Sequence, residues 1–161
     1  MDHLDLLQTL AEVAVALAGF SGVVTVFGRR HTGEWDPVDR LHLSFMLETS
    51  FAVLFLSILP FALLALDLSP RSTWATMSGV FAAFLVAVDA AAFFRWRRLP
   101  SDQRLGGIFL VCTSLGDWSV FVLQLFNAFS AREFSLYFIG LIWLLFACAL
   151  SFVRLLGFFR P

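Results

Sequence analysis

Thr113, Asp117, Gln124 and Asn127 are the residues whose types and spacing most suggest chemistry. They stand four, seven and three residues apart. At about 100° per residue that spacing puts them on one helical face, with Val120 filling the gap and Gly106 and Leu110 extending it. One acid, two carboxamides and a hydroxyl in line can replace the hydration of a cation or pass a proton. Three more carboxylates, Glu12, Glu48 and Asp89, lie in apolar stretches. A carboxylate near the middle of a membrane span costs about 2.5–3.5 kcal/mol on insertion scales. Each therefore needs a proton, a hydrogen-bonding partner, or water and a cation.

The elements that carry these residues read as membrane spans. Of 161 residues, 60% are hydrophobic and only 14% are charged, far from the balance of a soluble domain. Length fits one domain. Apolar runs at about 4–27, 41–66, 74–94, 105–129 and 134–153 each reach the roughly 20 residues that a bilayer requires. The expectation is an all-α polytopic integral membrane protein with five transmembrane helices. The first run has no Arg or Lys before it, so it lacks the start of a signal peptide. Asp36 is placed to cap the second helix with Pro37 at its first position, and Pro60 should kink that helix near Leu56–Ser57. Ala75, Gly79, Ala83, Ala87 and Ala91 form a small-residue ladder on the third span, suited to close helix contact.

Arginine sets the orientation. There is no lysine. Arg29, Arg30, Arg40, Arg95, Arg97, Arg98, Arg104, Arg154 and Arg160 fall on one side, and only Arg71 and Arg132 on the other. Positive residues gather in the cytoplasm, which puts the N-terminus outside and the C-terminus inside. Arginine in place of lysine, with abundant Ala and Leu, suggests a GC-rich bacterial genome and hence the inner (plasma) membrane.

Depth along the spans follows from about 1.5 Å of rise per residue. Glu48 and Asp89 should sit roughly 10 and 8 Å above the cytoplasmic edge, Asp117 roughly 18 Å in, and Glu12 roughly 12 Å below the outer edge. This gives a candidate ion pathway of Asp117, Gln124, Asn127, Thr113, Glu12 and Glu48. Asp89 is read as a structural group paired with Arg154 or Arg95. The alternative for every polar group is interhelical bonding, at about 0.6 kcal/mol each.

Other chemistries lack their parts. Cys112 and Cys148 have no second Cys or His at ligand spacing, so no metal and no disulfide is expected. No His lies within a span to hold haem, no lysine is available for a retinal Schiff base, and no phosphate-binding glycine loop occurs. Gly19-Phe20-Ser21-Gly22 matches the GxSG of rhomboid-type intramembrane proteases. Those enzymes also need a His on a later span, and His31 and His42 sit in or beside a loop. No enzyme activity, cofactor or nucleic-acid partner is expected. The reading is a small homo-oligomeric channel or channel-like pore for cations or protons, embedded in membrane lipid. A proton-coupled secondary transporter and a non-conducting accessory or scaffold subunit are the alternatives.

Overall fold

The computed structural model describes the backbone of residues 3–32, 37–98 and 107–155, and the side chains of 3–23, 40–98 and 113–153. Five helices follow one another: α1 (His3–Thr32), α2 (Pro37–Ala65), α3 (Pro70–Arg97), α4 (Gly107–Phe126) and α5 (Phe134–Leu155). No strand occurs among the described residues. Among the described residues, four segments are long and apolar enough to cross a membrane: His3–Val23, Arg40–Ala65, Pro70–Arg97 and Phe134–Val153. The Asp36 cap and the side chains of Cys112 and Arg154 lie outside the described residues.

α2 and α5 form the central pair, α1 packs chiefly on α2, and α3 packs chiefly on α4. Ring contacts fix the register of the bundle. His3 stacks on Phe134 at 4.2 Å, and Trp74 meets the same Phe134 ring at 5.1 Å. Farther along, Phe20 meets Phe152 at 6.3 Å. The starts of α1, α3 and α5 therefore share one end of the bundle, and α1 and α5 run in parallel.

Two turns close that end, each with a non-glycine residue in the left-handed region. Asp67 (φ 58°) stands between α2 and α3, and Ser69 caps α3 by accepting from the Ser72 amide at 3.3 Å, with Pro70 at the first helical position. Between α4 and α5 the chain widens into a π-helical turn, Asn127–Ala131, and ends at Arg132 (φ 57°), whose amide donates to the Asn127 carbonyl. The short link between α4 and α5 is thus entered through a wider turn, across which Asn127 also bonds to Glu133.

Pro60 lies inside α2, which stays helical through it. Proline has no N–H to give the carbonyl four residues earlier, that of Leu56. The Tyr137 hydroxyl of α5 donates to this carbonyl at 2.6 Å. Tyr137 is fully buried, with Phe81 set edge-on to it and Trp74 beside it. An orphaned buried acceptor costs about 1–3 kcal/mol. Tyr137→Phe should lower unfolding stability by about that amount. In a Pro60→Ala background the backbone donor returns, so the same substitution should cost less. A double-mutant cycle on thermal unfolding in detergent checks both expectations.

Candidate functional site

The α4 stripe lies against its own neighbours. Asp117 is 4% exposed, and its Oδ1 accepts from the Trp143 indole N–H of α5 at 2.7 Å. Gly116 makes the approach possible, since a Cβ there would fall 1.8 Å from the Trp143 ring. Gln124, fully buried, donates from Nε2 to the Leu136 carbonyl of α5 at 2.9 Å. Here Gly140 opens the space: a Cβ at that position would meet Gln124 Nε2 at 2.4 Å and Phe81 at 2.7 Å. Asn127 makes three bonds. Its Nδ2 donates to Ser78 Oγ of α3 at 2.8 Å and to the Glu133 carbonyl at 2.9 Å, and its Oδ1 accepts from the Glu133 amide at 2.8 Å. The stripe joins α4 to α3 and α5 within one chain.

Asp89 of α3 reaches the same place from the other side. Its carboxyl group shares a cavity wall with that of Asp117. Two carboxylates facing one enclosed space repel each other, which favours a proton on one of them. A small cavity of about 40 Å³ adjoins the pair, with His42, Arg95 and Thr113 also in its wall. That is room for about one water.

The Ser78–Asn127 bond sets the level of Asp89. Counting inwards from that bond, Asp89 and Asp117 are eleven and ten residues away, each roughly 15 Å along its helix. Asp89 therefore stands level with Asp117 and not near the helix end, where counting from the loop put it. Arg95, offered by the sequence to Asp89, forms its ion pair with Glu48 of α2 at 2.6 Å. The alternative partner, the Arg154 side chain, is outside the described residues. Arg95 and Glu48 are 42% and 34% exposed, so solvent or headgroups screen the pair and its contribution is small.

Glu12 differs from the other three. It is exposed on the outer face of α1, where its Oε1 accepts from Gln8 Nε2 at 3.0 Å. It stands nine residues beyond His3, roughly 13 Å along the axis from the His3–Phe134 stack. Ala16 and Gly19 continue this exposed face, and a groove between α1 and α2 runs beside it.

The remaining sequence candidates are also placed. The Ser21 hydroxyl of the GxSG tetrapeptide is buried and donates to the Ala18 carbonyl. Cys148 is buried against Ser50 (3.0 Å) and the Met46 carbonyl (3.6 Å). Among the described residues, no cluster of three or more His, Cys, Asp or Glu side chains is placed to hold a metal. Sequence reasoning missed Trp143 as the Asp117 donor and Tyr137 as the donor to α2. The available signal was a polar-tipped aromatic inside an apolar span, where an N–H or O–H needs an acceptor.

No family model, curated protein or solved structure matches this chain.

The glycine beside Asp117 gives a direct test of this packing. Gly116→Ala should destabilise by about 1–3 kcal/mol through overpacking and change Trp143 fluorescence as the ring leaves Asp117. Gly79→Ala, where an added Cβ meets nothing within 4 Å, should be neutral or stabilising by up to about 1 kcal/mol. Melting temperatures of the two variants side by side check the contrast.

Proposed function

We propose that the chain spans the bacterial plasma membrane five times, N-terminus outside and C-terminus cytoplasmic, and assembles with copies of itself into a pore for cations or protons. α1 faces the axis of that assembly. The observation that carries this reading is the exposed Gln8–Glu12 pair, roughly 13 Å down α1 from the end of the bundle. A carboxylate facing lipid at such depth is costly, so the face needs water or another subunit against it. Ala16 and Gly19 on the same face let neighbouring helices approach closely. By contrast, Asp117, Gln124 and Asn127 each bond to another part of the chain, with Gln124 Oε1 alone of their bonding atoms left without a partner. Near the cytoplasmic end the Arg95–Glu48 pair removes one acid from the pathway, leaving Glu12 as its principal charge.

A second reading, proton-coupled transport, is favoured by the Asp89–Asp117 pair. Two carboxyl groups at one level, facing one water-sized cavity, can take up and release one proton between them.

Flux of K⁺, Na⁺ and H⁺ into proteoliposomes tests both. In the pore reading, Glu12→Gln lowers cation flux about tenfold, and Asp117→Asn, which keeps an acceptor for Trp143, has a much smaller effect. Proton flux lost in Asp117→Asn and retained in Glu12→Gln would favour the transporter. A folded protein that passes no ion would overturn both readings and favour an accessory role.

A further inference from the structure

The groove between α1 and α2 has a volume of about 560 Å³, within the range of small-molecule sites. Its wall is almost wholly apolar, with Val15 of α1 and Ile58 and Phe61 of α2 among its residues. Three polar side chains interrupt it: Gln8, Glu12 and Ser57. We propose that this groove is a binding site for a hydrophobic organic cation, a molecule with one delocalised or quaternary positive charge on an apolar body.

Charge supports this occupant. Among the described residues, Glu12 is the only ionisable group in the wall, and no basic side chain lines it. Gln8 donates to one carboxylate oxygen and holds the group at the groove's edge. An anionic or neutral guest would leave that carboxylate without a counter-charge in apolar surroundings. A metal ion would leave most of the volume and all of the apolar wall unused.

Ser57 is the independent observation. It is fully buried, and its Oγ has no hydrogen-bond partner. Elsewhere on these helices Thr9, Thr49, Thr73 and Ser119 donate back to the carbonyl four residues earlier. Ser57 does not, although that bond is open to any helical serine; Ser151 of α5, outside the groove, shares this behaviour. Ser57 is one of the residues that line the groove, and its unspent dipole lies just behind that wall, where it adds to the field felt by a positive guest. Because the groove is complete within one chain and opens sideways, a guest can enter along the flank of the bundle. The proposal does not require ion conduction.

Binding of tetraphenylphosphonium to the purified full-length protein in a non-ionic detergent tests this, with tetraphenylborate as a probe of similar shape and opposite charge. The expected result is saturable binding of the cation, one per chain, with no comparable binding of the anion. Glu12→Gln should weaken it about tenfold or more, and Glu12→Asp should restore most of it. Ile58→Trp should block the groove with Glu12 intact. Unchanged affinity in Glu12→Gln, equal affinity for tetraphenylborate, or no saturable binding would each overturn the proposal. Melting curves matching wild type establish that the variants are folded. Glu12-dependent binding by a protein that conducts no ion would retain this site and reject the pore.

Discussion

Backbone polar groups have no water to turn to inside an apolar bundle, and the arrangement around Pro60 shows how this chain meets that constraint. Leu56 loses its helical donor to the proline, and Tyr137 supplies one from α5. The phenol can do so because Trp74, Phe81 and Phe134 close around it or beside it, which ties α3 into the same contact. The central α2–α5 pair is thereby fixed in register at one point. Ser50, Met46 and Cys148 fix it again farther along. Everything that flanks this pair, the α1 groove on one side and the α3–α4 acid pair on the other, inherits its geometry from these two points.

Polarity is handled in two opposite ways. On α4 and the turn after it, three polar side chains reach across to neighbours: Asp117 to Trp143, Gln124 through its Nε2 to Leu136, and Asn127 to Ser78 and Glu133. On α1 the pair Gln8–Glu12 bonds only along its own helix and looks outward. A bundle that bonds its α4 acid inward and leaves the Glu12 carboxylate on its flank is organised to meet something there.

Periodicity made the helices and the α4 stripe legible, because an apolar run of sufficient length and a spacing of four, seven and three depend only on the local chain. What it did not reveal was partnership. A helical face is known from spacing, but the helix opposite it is not. Arg95 was therefore offered to Asp89, when the packing of α2 on α3 brings it to Glu48. Relative level within the bundle was hidden for a related reason. Counting from the loops assumes that every helix starts at the same plane, whereas α3 extends from Pro70 to Arg97 and the Ser78–Asn127 bond sets its true level. Glycine carried more information than its usual role suggests. Gly116 and Gly140 mark where Trp143 and Gln124 cross between α4 and α5, and neither shows a pattern until the facing side chain is known.

The bonds between α4 and α5 also have an order. Their partners lie 6, 12 and 26 residues apart, running from Asn127–Glu133 through Gln124–Leu136 to Asp117–Trp143. Loop closure is least costly for the shortest separation, and each closure shortens the effective loop for the next. The hairpin can thus zip from its turn downward while the chain is still being synthesised. Its most costly passenger, the Asp117 carboxyl group, then packs into the bundle with its indole escort already drawn alongside.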